Sequence, residues 1–300
     1  MEQTFYSHGK LLLTGEYLIL DGATALAIPT KKGQSLHIVK NKESILKWTS
    51  KDEQGTIWFH AKFDTSLNTI ETSDPKTSNT LTTILKEAKR LNSNFLTLAT
   101  GAHITTTLEF SRNWGLGSSS TLINNIAQWA EVNAFTLLEN SFGGSGYDIA
   151  AAQANGPIFY TKQKPTPLVK QVALTWDFKD ALFFVHLNKK QDSKLGIARY
   201  KKQNVSDQEL QRATDISKKL LLCYTLQDFE KLMEHHEQFI SNIIQLPTVK
   251  ERLFSDYEGV IKSLGAWGGD FVLATGGAAQ QDYFRKKGYL TIVPFTAMLA

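Results

Sequence analysis

Glycine and serine crowd one short stretch of this chain, NWGLGSSST, in which Gly115 and Gly117 come just ahead of Ser118, Ser119 and Ser120. Glycine lets a backbone approach a ligand with no Cβ in the way. A serine hydroxyl caps a helix, holds a phosphate oxygen or helps bind a magnesium ion. Where a helix starts, its unpaired N–H groups and the positive end of its dipole favour an anion. These residues alone leave two readings open: a phosphate loop, or a serine-capped helix after a tight turn. A dinucleotide fingerprint fits poorly, because the third glycine is missing and the acid at Glu139 follows helix-like sequence instead of a second strand. No G-x-x-x-x-G-K-[ST] occurs, which excludes an ordinary P-loop.

Two further clusters have chemistry-bearing residue types. NKKQDSK, Asn188 to Lys194, reads either as a solvated basic turn or as an acceptor loop. In the second case Lys189, Lys190 and Ser193 would meet a phosphate or carboxylate. EHHEQF, Glu234 to Phe239, lacks the H-E-x-x-H spacing of a zinc helix, and the expectation is polar surface.

The elements that must position these residues follow from periodicity. GAHITTTLEF alternates Ala102, Ile104, Thr106, Leu108 and Phe110 with polar positions, a strand pattern. TLINNIAQWAEVNAF places Leu122, Ile123, Ile126, Ala127 and Ala130 at helical spacing. The glycine-serine stretch therefore joins a strand to a helix start. Upstream, KLLLTGEYLILDGATALAIPT reads as two strand-like runs around a Gly-Glu-Tyr break, with QSLHIVK and GTIWFHAKF as further strands. SDPKTSNTLTTILKEAKRL reads as a turn and a helix with Leu81, Ile84 and Leu85 on one face. GGSGYDIAAAQANGPIFY reads as a glycine turn, a short helix and a strand. Thr161 to Asp180 reads as a linker region, ALFFVHL as a strand, and about Ser206 to Phe254 as mostly helical with a break near Pro247. DFVLAT, QDYFRKKG and LTIVPF read as alternating segments at the end. Antiparallel-looking strands mixed with helices indicate an α+β fold in two lobes.

Composition narrows the class. The 300 residues, 42% hydrophobic and 21% charged, supply ample core for one large domain or two. A net charge of +4 without a long basic run gives no special support for nucleic-acid or membrane binding. Cys223, the single cysteine, lies in an apolar helical stretch and reads as a buried structural thiol. MEQTFYSHGK is not a signal peptide, and no apolar run approaches membrane-spanning length, so a cytoplasmic protein is expected.

Four stretches, in order along the chain, resemble the GHMP kinases, the family of galactokinase, homoserine kinase, mevalonate kinase and phosphomevalonate kinase. They are GKLLLTGEYLIL (Gly9 to Leu20), GLGSSS, the segment GSGYDIAAA, and GAWGGD (Gly265 to Asp270). The resemblance implies a two-lobed GHMP kinase fold. Residues 1–170 would form a ribosomal-protein-like N-terminal nucleotide-binding lobe and residues 171–300 a ferredoxin-like C-terminal lobe, with ATP between them. The sequence departs from the family pattern at His8, where proline is common, and at Arg112, Asn113, Trp114 and Ser120 around the second motif. In the third motif Trp267 replaces a usual glycine and Leu264 a usual serine or threonine, which puts a bulky indole in a position expected to lie beside the phosphates.

The resemblance also implies roles. Asp148 matches the catalytic aspartate, which orients or deprotonates an acceptor hydroxyl; capping the helix of IAAAQA is the other reading, and both can hold together. Lys10 matches a lysine that offsets charge near the reacting oxygen, against a plain surface lysine. Gly115, Leu116, Gly117, Ser118, Ser119 and Ser120 would bind ATP phosphates, and Ser119 matches the magnesium-binding serine. The partner carboxylate of mevalonate kinases aligns with Leu137, so Glu139, two residues on, is the alternative metal ligand. Glu16 would anchor its lobe and is given no chemistry.

Substrate binding would fall to Lys189, Lys190, Ser193, Gly265, Ala266 and Gly268. Gly-Glu-Tyr, GSGYDIAAA and the closing Gly-Gly-Asp look more like phosphomevalonate kinases than mevalonate kinases, so phosphomevalonate is the expected acceptor and mevalonate the alternative. The other readings are a non-catalytic ATP-binding protein on the same fold and a decarboxylase relative. The implied cofactors are ATP and Mg2+. The implied partners are a small-molecule substrate and ATP, with no nucleic acid or membrane, in a monomer or homodimer.

Overall fold

The computed structural model describes residues 2–96, 101–190 and 193–300, with the side chain of Ser193 outside that description. The described chain divides into two compact units, each discontinuous in sequence. The first holds residues 1–9, 32–112 and 116–153; the second holds 10–31, 113–115 and 154–300.

The first unit is a mixed sheet covered by helices. Strands β1 (Glu2–Leu12) and β2 (Ala25–Lys40) pair with each other, and each runs from one unit into the other. β3 (Ile45–Lys51), β4 (Ile57–Asp64) and β5 (Thr69–Thr72) form an antiparallel meander, followed by helix α1 (Pro75–Leu91). Asp74 caps α1 by accepting from the N–H groups of Lys76 and Thr77, and Pro75 opens it where no N–H is needed. β6 (Ala102–Leu108) inserts between β3, to which it is parallel, and β2, to which it is antiparallel. Its alternate residues Ala102, Ile104, Thr106 and Leu108 are all buried, as the period-two pattern requires. Ile104 joins Trp48, Phe59, Phe63, Leu81, Leu85, Ile123 and Ile126 in one core.

Helices α2 (Ser118–Ala130), α3 (Ala134–Ser141) and α4 (Tyr147–Gln153) complete this unit. The stretch expected as one helix from Thr121 to Phe135 is two, because Glu131 turns left-handed at φ 54° and Asn133 caps a new start.

In the second unit β7 (Ile158–Thr161) pairs antiparallel with both the first residues of β2 and β8 (Leu168–Gln171). β8 lies inside the expected linker; all four of its residues are exposed, so it lacks the half-buried alternation that marks a strand. β9 (Leu182–His186) is buried throughout. After it come α5 (Ser193–Tyr200), α6 (Asp207–Leu220), α7 (Leu226–Ile244) and the short α8 (Val249–Leu253), with the expected break before Val249.

The chain closes through β10 (Ile261–Ser263), β11 (Phe271–Thr275), α9 (Ala278–Lys286), β12 (Ile292–Pro294) and α10 (Phe295–Met298). β12, β9, β11 and β10 lie side by side in that order, all antiparallel, which is the ferredoxin-like arrangement. QDYFRKKG, read as an alternating segment, is helix: only Phe284 of α9 is buried, as a one-sided helix on this sheet needs. The α+β expectation holds, with a mixed sheet and a four-stranded antiparallel sheet.

Candidate active site

The glycine-serine stretch folds as the flanking periodicities require, between β6 and α2. Gly117 is the helix cap in the left-handed conformation (φ 88°, ψ 41°), and no side chain caps α2. The serine-capped reading is therefore overturned at this helix. Ser120 is buried and its hydroxyl donates to the Gly117 carbonyl at 2.8 Å, so it faces away from the helix mouth. Ser118 is half-buried, Ser119 is exposed and Leu116 is buried in the core. Behind the mouth, Thr121 donates to Gln34 Oε1 at 2.6 Å, tying the first turn of α2 to β2.

Gly115 is fixed from two sides. The Lys10 ammonium donates to its carbonyl at 3.2 Å, and the Asp270 carboxylate packs over its Cα. A Cβ at Gly115 would stand 2.4 Å from Asp270 Cγ, and its φ is 66°, so only glycine fits. Asn113 and Trp114 hold the approach. His186 accepts from the Asn188 N–H on Nδ1, which leaves the proton on Nε2 to donate to the Asn113 carbonyl at 3.0 Å. The Trp114 indole meets Phe271 edge-on at 5.4 Å. Neither His186 nor Asp270 is assigned a role from sequence: a strand histidine and the last residue of a glycine motif give no local signal of what they touch.

Asp270 also holds the stretch that follows β9. Its N–H donates to the Lys189 carbonyl and its own carbonyl accepts from Leu187, both at 2.7 Å. Lys189 and Lys190 are exposed beside this junction. In the third motif Gly265 (φ 58°), Trp267 (φ 30°), Gly268 (φ 96°) and Asp270 (φ 52°) all take left-handed conformations. Gly265, Ala266 and Gly268 are half-buried, and a Cβ on Gly268 would stand 2.9 Å from the Arg252 guanidinium. Trp267 does not lie open beside the loop, as its place in the motif suggests. It is buried with Tyr17, Leu18, Tyr200 and Ile240 in a core of this unit.

Asp148 stands half-buried in the first turn of α4. The carbonyl that starts this helix belongs to Gly146, which accepts from Ile149 and Ala150 at 3.1 Å, so Asp148 is past the capping position. Leu137 is fully buried, whereas Glu139 is exposed on α3. Among the described residues no cluster of three or more metal-ligating side chains occurs, and no helix is long and apolar enough to cross a membrane. A magnesium ion in this fold would need few protein oxygens, because it keeps water and substrate phosphate for the rest. The exposed Ser119 hydroxyl has that character.

The helix EHHEQF is not polar surface throughout. His236 and Glu237 are buried with Glu16 and Lys262 in an ionic cluster. Glu16 does anchor its bend, through Lys262 at 2.5 Å. Cys223 is buried, as expected.

No family model matches the sequence, and no curated protein matches it in sequence. Solved structures do match in fold. Streptococcus pneumoniae phosphomevalonate kinase, in complex with phosphomevalonate and AMPPNP, aligns with TM-score 0.70 and 18% identity over 97% of this chain and 99% of that one. Methanococcus jannaschii mevalonate kinase aligns with TM-score 0.69 and 15% identity, covering 96% and 94%. Lactococcus lactis galactokinase, complexed with galactose, aligns with TM-score 0.67 and 13% identity, covering 95% and 88%. The alignment runs nearly the whole length of each chain, so this protein has the GHMP kinase fold.

Proposed function

We propose that this protein is an ATP-dependent small-molecule kinase that transfers the γ-phosphoryl group to a mevalonate-pathway acceptor, with phosphomevalonate the first choice. The observation that carries this reading is the mouth of α2, where a left-handed glycine cap leaves the helix start without a side-chain cap and Lys10 reaches the loop at Gly115. Such a mouth suits an anion: its N–H groups point outward and the helix dipole adds positive potential.

Each residue then has a task. Gly115 to Ser119 hold the phosphates through backbone N–H groups, and Ser119, with Glu139 as the second candidate, holds magnesium. Bound magnesium offsets charge on the transferring phosphate. Lys10 adds a fixed cation that needs no reorganisation as charge shifts. Asp148, not used as a helix cap, orients the acceptor hydroxyl or takes its proton. Lys189, Lys190 and Ser193, with the bend at Gly265, Ala266 and Gly268, receive the acceptor. An acceptor that already carries phosphate needs exposed cations of this kind, because two polyanions must be brought together. Mevalonate, an alcohol acceptor, is the second reading, supported by the aspartate at position 148.

A coupled ADP-release assay with phosphomevalonate, mevalonate, homoserine and galactose tests the proposal. Turnover greatest with phosphomevalonate is expected, and Asp148→Ala should lower kcat by roughly 10²–10⁴-fold. ATP binding without acceptor-dependent turnover would instead favour a non-catalytic protein, and release of carbon dioxide a decarboxylase.

A further inference from the structure

The second unit buries an ionic cluster. Glu16, Lys262, His236 and Glu237 are each at most 4% exposed. Lys262 Nζ lies 2.5 Å from Glu16 Oε1 and 3.4 Å from Glu237 Oε2, and donates to the Ser263 carbonyl. Glu237 also accepts from the Ser263 N–H at 3.0 Å and the Ser263 hydroxyl at 2.5 Å. His236 Nε2 accepts from the Gly15 N–H at 3.0 Å, so the ring is neutral with its proton on Nδ1.

Charges removed from water are costly unless paired and fully hydrogen-bonded. Here one ammonium faces two carboxylates, and the pairing is uneven. Both oxygens of Glu237 have partners, whereas Glu16 Oε2 has no hydrogen-bond partner and lies 3.6 Å from His236 Nε2, whose lone pair already serves the Gly15 N–H. A proton on Oε2 removes the excess charge. The groups facing Glu16 are Lys262 on β10, His236 and Glu237 on α7, and Tyr17 in its own bend, with Arg199 beyond. Burial, only partly offset by Lys262, raises the Glu16 carboxyl to about 7; burial and Lys262 hold His236 well below the usual imidazole range.

The cluster grips two stretches at their roots, Gly15–Glu16 and Lys262–Ser263. The strand leading into the first carries Lys10, which donates to the Gly115 carbonyl; the bend following the second carries Asp270, which packs on the Gly115 Cα. Both arms meet at one glycine of the phosphate loop.

We propose that Glu16 and Lys262 are positioning residues: through the buried cluster they set the two arms that fix Gly115, and so the geometry in which the loop receives the nucleotide's phosphates. This rests on the kinase reading. Protonation removes the charge that Lys262 leaves uncompensated, so the arms are best held below the folded Glu16 transition. A folded-state carboxyl raised above its free value of 4.5 contributes stability that is complete below that value and is lost as pH rises through about 7.

The full chain, Glu16→Gln and Lys262→Met are compared by AMPPNP calorimetry and thermal melting from pH 5.5 to 8.5, alongside the ADP-release assay. The wild type is expected to bind AMPPNP more weakly as pH rises through 7. Glu16→Gln, which mimics the protonated carboxyl, should keep its affinity flat within about twofold and gain melting temperature on the wild type at high pH. Lys262→Met should lose at least tenfold in affinity at pH 6.5 with a folded thermal transition. Should it fail to fold, the pH profile of Glu16→Gln alone decides. Wild-type and Glu16→Gln profiles that run parallel overturn the proposal, as does full affinity in folded Lys262→Met. A wild type that binds AMPPNP but turns over no acceptor would instead sink the kinase reading and leave these comparisons standing.

Discussion

Each unit contains a buried polar network, and the two networks are built from different chemistry. In the first unit every member is neutral. Asn124 donates to the Ser7 hydroxyl at 2.8 Å, Ser7 donates to Asn125 Oδ1 at 2.7 Å, and Asn125 donates to the Gln34 carbonyl at 2.9 Å. Gln153 on α4 donates to Asn124 Oδ1, and Thr121 to Gln34 Oε1. This chain ties α2 to β1, β2 and α4, and none of these side chains titrates. In the second unit the brace is ionic, with one ammonium, two carboxylates and a neutral imidazole, and it leaves Glu16 Oε2, His236 Nδ1 and the nearby indole Nε1 of Trp267 without hydrogen-bond partners. A neutral network gives rigidity at any pH, because amides and hydroxyls can all be satisfied at once. An ionic one is costly to take out of water, and its balance depends on its protonation state.

The sharpest way to break this comparison is Glu237→Leu. Lys262 keeps Glu16, but the Ser263 N–H and hydroxyl lose their acceptor inside the core, so a loss of about 3 kcal/mol is expected in urea unfolding at pH 7. A loss below about 1 kcal/mol would mean the ionic brace bears little strain. Asn125→Ala in the neutral brace removes the donor to Gln34 and the acceptor for Ser7, and about 2 kcal/mol is expected. That loss should be the same at pH 6 and pH 8, and a pH-dependent difference would erase the contrast between the two networks. The smallest expected effect is at the loop itself. Gly117→Ala forces a side chain into a left-handed cap and should cost about 1 kcal/mol by thermal melting, while weakening AMPPNP binding far more than stability.

Local physics made part of this molecule legible. The strand before the glycine-serine loop and the helix after it announce themselves by periods of two and 3.6, and glycine before a helix start marks a backbone free to come close to a neighbour. Asp74-Pro75 opened α1 as a capped turn does, and the buried strand ALFFVHL needed only its apolar run. Elsewhere the local signal is weak: β10 is only three residues long, β8 shows no buried face, and α9 buries a single residue.

What the sequence determined by itself was the chemistry on offer and its order along the chain: two glycines and three serines at a helix start, a lysine ahead of a Gly-Glu-Tyr bend, an aspartate in a glycine-flanked helix. Only the tertiary structure decided which polar residues lie in water and which in the core. Glu16 meets Lys262 from 246 positions away, and His236 and Glu237 look like solvent-facing helix residues until β10 and the Gly15 bend close over them. Burial is a property of the whole fold, and no window of neighbouring residues contains the partner that makes a buried charge tolerable.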